Sequence, residues 1–215
     1  MIIAIDGPSA SGKSTTAKGV AKVFGILHLD TGAMYRAITL EYLKYQHISF
    51  DSQNFIDLVK NIDINFNRDN QITLNSLCVE QDIRKQDVTS KVSEVSSISI
   101  VRKKMVEKQR EIARNIDCVI EGRDIGSVVF PNAEFKFYLD AKAEIRAARR
   151  LKELTNQDKS VTLDDLITQI KRRDFLDTNR KISPLTRTKE AIVIDTSSMD
   201  VDEQIEQIVK IINNK

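Results

Sequence analysis

Eight residues near the start of the chain, GPSASGKS (7–14), have the types and spacing of a phosphate-binding loop. The pattern is Gly, four residues, then Gly-Lys-Ser. The glycines let the backbone aim its N–H groups at an anion, and the helix that follows Gly12 adds its positive end. Lys13 is unfavourable there unless a polyanion such as a triphosphate neutralises it. The pattern therefore predicts a nucleotide site, with Lys13 at the outer phosphates and the Ser14 hydroxyl on Mg²⁺; the alternative is a Gly-Ser loop before an ordinary helix.

A second set of residues that could do chemistry consists of arginines beside small polar and acidic residues. Several of them follow predicted strands, where ligands bind in open α/β sheets, so they predict an acceptor pocket. The segments are DTGAMYRA (30–37), VRKK (101–104), EGRDIGSVVFP (121–131) and KRRDFLDTNRKISPL (171–185).

The elements that must position these residues alternate between strands and helices. Apolar runs predict strands at 2–6, 26–30, 118–122, 135–140 and 191–195. Helical spacing predicts helices at 14–24, 32–46, 143–154, 163–175 and 202–213, and long amphipathic segments over 87–115. This alternation predicts an α/β fold with a parallel core sheet and helices on both faces. Residues 62–83 alternate between apolar and polar types around Asn and Asp, which predicts a small antiparallel insert.

Composition narrows the class of protein. A chain of 215 residues predicts one compact domain with a small insertion. The balance of 33 basic and 31 acidic residues argues against a dedicated nucleic-acid or membrane binder. No apolar run approaches the roughly 20 residues of a membrane helix, and the N-terminus does not have the pattern of a signal peptide. The two cysteines form neither a disulfide framework nor a zinc signature, so a cytoplasmic location is expected.

The glycine-lysine loop and the arginine-bearing segments together strongly resemble the bacterial cytidylate kinases, which are nucleoside-monophosphate kinases, over nearly the whole chain. The resemblance implies Mg²⁺-dependent transfer of the γ-phosphoryl group of ATP to CMP or dCMP, giving CDP or dCDP, by a cytoplasmic monomer. It also implies a three-layer P-loop kinase fold with a parallel core sheet, a CMP-binding region carrying a small antiparallel β insert, and a short lid. The expected boundaries are about 1–30, 116–149 and 176–215 for the core, 31–115 for the CMP-binding region and 150–175 for the lid.

The resemblance also implies roles for individual residues. The ATP-binding residues would be Gly7, Pro8, Ser9, Ala10, Ser11, Gly12, Lys13, Ser14, Thr15 and, with a weaker match that it shares with Arg146, Arg150. The CMP-binding residues would be Arg36, Arg123 and Arg180 at the phosphate, Ser93, Arg102 and Asp124 at the cytosine, Arg173 and Asp177 at the sugar, and Thr31 nearby. The catalytic residues would be Lys13, Arg123, Arg173 and Arg180, and the metal ligand would be Ser14.

The chemistry of the cytosine edge agrees with these roles. Cytosine presents an amino donor at N4 and acceptors at N3 and O2. The Asp124 carboxylate can accept from N4, while the Arg102 guanidinium can donate to the other two. Uracil has an acceptor in place of the N4 donor, and an unpaired buried polar group costs about 1–3 kcal/mol. Asp124 is therefore predicted to determine the specificity for cytosine.

Several of these residues have a simpler interpretation. Arg102 could be a solvated charge on an amphipathic helix, and the arginines at 146, 149 and 150 could form surface ion pairs. Asp177 and Arg180 could pair on one helix face, and Ser93 could be an ordinary helix residue. The chain also departs from the family pattern at Glu121, where Asp is usual, and at Ser99, where proline is common.

Two other functions remain open from the sequence. The first is a P-loop kinase that acts on AMP, UMP, dephospho-coenzyme A or shikimate, although EGRDIGSVVFP and RRDFLDTNR argue against it. The second is a nucleotide-binding regulator or nucleic-acid-associated module, which the formal net charge of only +2 disfavours.

Overall fold

A computed structural model describes residues 1–45, 48–154 and 161–214. The strands are β1 Ile2–Asp6, β2 Leu27–Asp30, β3 Ile64–Phe66, β4 Ile72–Leu74, β5 Leu77–Cys78, β6 Cys118–Gly122, β7 Phe135–Asp140 and β8 Ile192–Asp195. The α-helices are α1 Lys13–Phe24, α2 Thr31–Lys44, α3 Gln53–Asn61, α4 Gln86–Val95, α5 Ser99–Ile112, α6 Ala143–Leu154, α7 Leu163–Asn179 and α8 Val201–Asn213. None of the helices in the described residues is long and apolar enough to span a membrane.

The core sheet has the strand order β2-β6-β1-β7-β8. Strand β1 pairs in parallel with β6 and β7, and β7 pairs in parallel with β8, which confirms the predicted parallel sheet. The central strands β1 and β6 are buried almost continuously, as strands covered on both faces must be. The carboxyl ends of β1 and β6 lie side by side, with Asp6 opposite Gly122, so the segments that follow both strands begin at one edge of the sheet.

Helices α1 and α8 pack against this sheet and complete its main core. Val20 and Ala21 of α1 and Ile208 of α8 lie in one buried cluster with Ile3 and Ile5 of β1. The apolar residues of α8 recur at helical spacing, and Asp200 and Glu203 form a capping box that begins the helix. Since α1 is fixed in this cluster, the loop between β1 and α1 is held at both ends.

Residues 62–83 form the predicted antiparallel insert, with the order β3-β4-β5. Ile64 pairs with Leu74 and Phe66 pairs with Ile72, so the alternation places Ile64, Ile72 and Leu74 on the buried side. Asn75 and Ser76 join β4 to β5 with positive φ angles, a conformation that asparagine tolerates well.

Helix α3 has no counterpart among the predicted elements, and α7 extends four residues beyond its predicted end. Helix α3 begins at the Ser52 cap and buries Phe55 and Val59, which are one helical turn apart. Helix α7 continues to Asn179, so Asp177 is a helix residue and Arg180 caps the helix end. The segment between β6 and β7, for which no element was predicted, contains a π-helical turn at Ile125–Val129.

The described chain divides into two compact units. Unit 1 comprises Met1–Leu29 and Ile116–Lys215, and unit 2 comprises Asp30–Asn115. The assignment of unit 2 as the CMP-binding region and of 150–175 as a lid stays a prediction. Residues 155–160, in the middle of the expected lid, lie outside the described residues.

Candidate active site

The loop between β1 and α1 turns sharply at its two glycines. At Gly7, with φ +151°, a Cβ would lie 2.1 Å from the Leu139 carbonyl oxygen, so no side chain fits there. Gly12 has φ +93°, a left-handed conformation that favours glycine, and α1 begins at the next residue. Both glycines of the predicted phosphate-binding pattern therefore stand where the backbone requires glycine.

Lys13 is buried at the start of α1, with 5% of its surface exposed. Its Nζ donates to the Pro8 carbonyl oxygen at 2.6 Å and to Ser11 Oγ at 3.4 Å. Burial lowers the pKa of Lys13 well below its usual value, and the positive charges of Arg123 and Arg173 lower it further. Lys13 is thus a buried cation beside other cations, which an anion would stabilise.

Ser14 Oγ donates to Glu121 Oε2 at 2.6 Å, and Glu121 Oε1 lies 2.9 Å from His28 Nε2. Burial would raise the pKa of Glu121, but its contacts with His28 and Ser14 outweigh burial, and the pKa is lowered. The oxygen donors of Ser14 and Glu121 suit Mg²⁺, which prefers oxygen ligands and usually takes few from the protein. In the described part of the chain, no group of three or more His, Cys, Asp and Glu residues could hold a metal by itself.

Four charged residues predicted to bind CMP form one ion-pair network in unit 1. Arg123 Nε donates to Asp177 Oδ2 at 2.9 Å, and Arg180 lies 3.8 Å from Asp177 Oδ1. Arg180 Nη2 also lies 3.5 Å from Asp124 Oδ1. Burial would raise the pKa of Asp177, but Arg123, Arg173 and Arg180 outweigh it, so the pKa is lowered. The structure therefore brings these four side chains together.

The charge of Arg173 acts on this network, but within the described residues Arg173 forms no ion pair or hydrogen bond with its members. Its Nε is buried and has no hydrogen-bond partner in the structure. The pKa of Arg173 is lowered to about 10, first by burial and then by the charge of Arg123, and Asp177 and Asp174 offset only part of this effect. Lys13, Arg123 and Arg173 thus repel one another, while Asp177, Asp174 and Glu121 attract Arg123 and, against the effect of burial, raise its pKa.

Asp6 is a residue of this site that is not among the predicted site residues. It ends β1 directly before Gly7, and its two oxygens accept from the N–H groups of Ile125 (2.9 Å) and Gly126 (2.8 Å). It therefore ties the start of the phosphate-binding loop to the segment that carries Asp124. Burial raises the pKa of Asp6 to about 6, although these two backbone donors lower it in part. Only its position beside the glycine loop could have indicated this role.

The raised pKa of Asp6 has a consequence for stability. Because the folded protein binds this proton more tightly, stability relative to Asp6→Asn is greatest at low pH and decreases as pH rises through about 6. A shift from 3.8 to about 6 corresponds to about 3 kcal/mol. Urea unfolding of both proteins from pH 4 to 7 measures this change, and a difference independent of pH would contradict it.

Four of the predicted CMP-binding residues lie in unit 2. Arg36 Nη1 donates to Thr89 Oγ1 at 2.7 Å and to the Ile83 carbonyl oxygen at 3.2 Å. Arg102 is 2% exposed and stacks 5.1 Å from the centroid of the Tyr35 ring, so its interpretation as a solvated charge is wrong. Thr31, buried at the start of α2, and Ser93, half-buried on α4, are the other two.

The arginines of α6 have three different environments. Arg146 is 6% exposed and Arg149 donates to the carbonyl oxygens of Thr196 and Met199, so a surface ion pair is the wrong interpretation for both. Arg150, with 38% of its side chain exposed, pairs with Glu153 at 2.7 Å, as that interpretation expects. Contact of Arg150 with ATP stays a prediction.

Comparisons with known proteins identify the family of the chain. A family model described as cytidylate kinase matches residues 3–214. A cytidylate kinase of Clostridioides difficile is 44% identical over 213 residues, which cover 99% of this chain and 98% of that protein. One of Desulforamulus reducens is 45% identical over 209 residues, covering 96% and 94%. A crystal structure of an uncharacterized Eubacterium ventriosum protein has a TM-score of 0.56 at 15% identity over 100% and 99% of the two chains, a likeness of fold alone.

A parallel sheet whose first strand leads into a glycine-lysine loop and a helix, with buried arginines nearby, defines a P-loop kinase. The match to the family model over nearly the whole chain identifies which family of P-loop kinases this is. The chain belongs to the cytidylate kinase family, and it is an ATP-dependent nucleoside-monophosphate kinase that phosphorylates CMP.

Proposed function

We propose that unit 1 binds the phosphates of ATP at the glycine-lysine loop and that the chain transfers the γ-phosphoryl group to CMP and also to dCMP. One observation carries the proposal. Lys13, Arg123 and Arg173 come from three distant segments, and their charges act on one another in a buried setting. Such a cluster is costly in the free protein and is stabilised by a polyanion, as phosphoryl transfer requires.

The roles of the basic residues follow from the reaction. The phosphate oxygens of CMP are already ionised, so the reaction needs positioning and charge neutralisation rather than a general base. Lys13 would hold the outer phosphates of ATP, and Arg123 and Arg180, with Arg36 of unit 2, would hold the phosphate of CMP. Arg173 would neutralise the group being transferred. The planar guanidinium suits this task because it can hold two phosphate oxygens at once.

Ser14 and Glu121 would provide the protein's share of a magnesium site. Ser14 would be the direct ligand, and Glu121 would act through water, since its longer side chain replaces the usual aspartate of the family. When bound, Mg²⁺ neutralises phosphate charge. His28 would keep Glu121 ionised and directed at Ser14, as their contacts support.

We further propose that Asp124 accepts from the cytosine N4 amino group and that Ser93 and Arg102 of unit 2 bind the same base. Asp124 is 3% exposed, and its Oδ1 lies 3.5 Å from Arg180 Nη2, so the carboxylate is held inside the predicted acceptor network. Asp177 and Arg173 would bind the sugar side, and Thr31 would lie near the acceptor. The products would be ADP and CDP or dCDP.

Asp124→Asn tests the cytosine assignment. Asparagine can direct its amide NH₂ at the O4 acceptor of uracil, so the ratio of kcat/KM for CMP over UMP should fall about tenfold or more. The wild-type and variant enzymes are assayed for ADP release with CMP, dCMP, UMP and AMP. An unchanged ratio in a folded variant would assign the reading of cytosine to another residue, and faster turnover of AMP or UMP than of CMP by the wild type would contradict the proposed substrate.

A further inference from the structure

Both main-chain polar groups of Ser9, in the glycine-lysine loop, are bound by charged side chains from outside the loop. Ser9 N donates to Asp174 Oδ1 of α7 at 3.1 Å, and the Ser9 carbonyl oxygen accepts from Arg146 Nη1 of α6 at 3.0 Å. Arg146 Nη1 also donates to Asp174 Oδ2. The three residues thus close a ring of hydrogen bonds.

The ring acts on Lys13 through a single peptide group. The Ser9 N–H and the Pro8 carbonyl belong to the same planar peptide unit, so whatever orients one orients the other. Asp174 binds the N–H side at 3.1 Å, and Lys13 Nζ binds the carbonyl side at 2.6 Å. Asp174 therefore fixes the plane of the group that holds the Lys13 ammonium.

Ala10, the next residue, indicates that the loop needs this external support. Its φ of +59° is left-handed, which costs a non-glycine residue about 1–2 kcal/mol. Its side chain packs on an apolar cluster of α6 and α7 that contains Ala147, Leu166 and Ile170. The conformation of the loop at 9–10 is thus held by these two helices as well as by β1 and α1.

Arg146 is fixed well enough to serve as an anchor. It is 6% exposed, and its Nε donates to the Ala141 carbonyl oxygen at 2.8 Å. Because it is buried and its charge is balanced by Asp174, loss of either partner leaves the other uncompensated. Asp174 also directly follows Arg173, so α7 presents the loop anchor and a predicted phosphoryl-binding arginine at consecutive positions.

We propose that Asp174 and Arg146 are positioning residues for the donor site. They orient the Pro8–Ser9 peptide, and through it Lys13, for the phosphates of ATP. The proposal rests on the proposed role of the glycine-lysine loop in ATP binding. It separates Asp174 from Asp177 on the same helix, since Asp177 contacts Arg123 and Arg180 on the acceptor side.

Asp174→Ala and Asp174→Asn distinguish positioning from general stability. Asparagine keeps an oxygen that can accept from Ser9 N, whereas alanine leaves this N–H without its acceptor. Direct titration with a non-hydrolysable ATP analogue should show a loss of affinity of about tenfold or more in Asp174→Ala and of no more than about threefold in Asp174→Asn. The affinity for CMP alone should change less than the affinity for the ATP analogue in Asp174→Ala, because Asp174 acts on Arg123 and Arg173 only by charge and without a hydrogen bond. Asp164→Ala, an exposed aspartate in the first turn of α7, is the matched control.

Arg146→Lys provides a second test that does not depend on the folding of Asp174→Ala. Lysine keeps a charge opposite Asp174, but its single nitrogen cannot replace both Nη1, which binds Ser9 and Asp174, and Nε, which binds the Ala141 carbonyl. A loss of affinity of about fivefold for the ATP analogue is therefore expected. Equal affinities of the wild type, Asp174→Ala and Arg146→Lys would overturn the proposal. Equal losses for ATP analogue and CMP, in step with melting temperature, would also overturn it. Failure of the wild type itself to phosphorylate CMP would instead contradict the proposed function.

Discussion

Lys13→Met is expected to reduce kcat by about 10²–10³-fold, because it removes a positive charge that is positioned to stabilise the phosphates during phosphoryl transfer. Methionine keeps the unbranched apolar stem, so the variant is expected to stay folded. Single-turnover transfer from labelled ATP to CMP measures the effect on the chemical step. Lys18→Met, on the exposed side of the same helix, is the control and should retain normal turnover. Near-normal turnover in Lys13→Met would refute the assignment of the glycine-lysine loop.

Lys13→Met is also expected to change how the free energy of unfolding depends on pH. Since burial lowers the folded-state pKa of Lys13 well below 10.5, the unfolded chain binds this proton more tightly. The contribution of Lys13 to stability therefore rises with pH between the lowered pKa and about 10.5, and Lys13→Met lacks it. The free energy of unfolding of the wild type, minus that of Lys13→Met, should therefore increase as pH rises over this range. A difference that does not change with pH would mean that folding does not lower the pKa of Lys13.

Local patterns were sufficient to predict the donor loop and most of the core sheet. The loop pattern lies within eight residues, and Gly7 and Gly12 are required by backbone geometry at their own positions. The buried strands β1 and β6 are continuous apolar runs, which a sequence displays directly. Helix α3 was missed although Phe55, Leu58 and Val59 recur at helical spacing after the Ser52 cap, so the sequence does carry the signal for this helix.

Contacts between distant segments could not be predicted in this way. The hydrogen bond from Ser9 to Asp174 joins residues 165 positions apart, and that from Arg146 to Ser9 joins residues 137 apart. Periodicity treats Arg146 as one charge among several on α6, since burial of a charged residue depends on what packs over it. Arg102 illustrates the same limit, because its burial depends on Tyr35 of another helix. The resemblance named Arg102 and Arg146, but it did not say what either one contacts.

The residues predicted to bind CMP differ in what the structure shows of them. In unit 1, Arg123, Asp124, Asp177 and Arg180 form one ion-pair network, whose part in binding CMP stays a prediction. Asp177 and Arg180 are more than an isolated pair on one helix face, because Asp177 also pairs with Arg123 and Arg180 also lies near Asp124. The residues predicted in unit 2 rest on the resemblance together with the burial of Arg102 and the contacts of Arg36. Their roles in binding CMP stay predictions.

Arg173→Gln is expected to reduce kcat by about 10²–10³-fold and at the same time to stabilise the protein without ligands. Its Nε is buried and unpartnered, and its pKa is lowered to about 10, so the charge destabilises the free fold. The neutral variant should gain about 1–2 kcal/mol, or a melting temperature about 2–6 °C higher.

Saturating ATP and CMP should reverse this order of stability, because only the wild type uses the Arg173 charge to bind them. Thermal unfolding of both proteins, with and without the two nucleotides, shows whether the order of their melting temperatures reverses. Arg172→Gln, the exposed neighbour, is the matched control and should change neither quantity. If Arg173→Gln lowered the melting temperature of the free protein and left kcat unchanged, Arg173 would be a structural residue, and the transferred group would have to be neutralised by Lys13 and Arg123 without it.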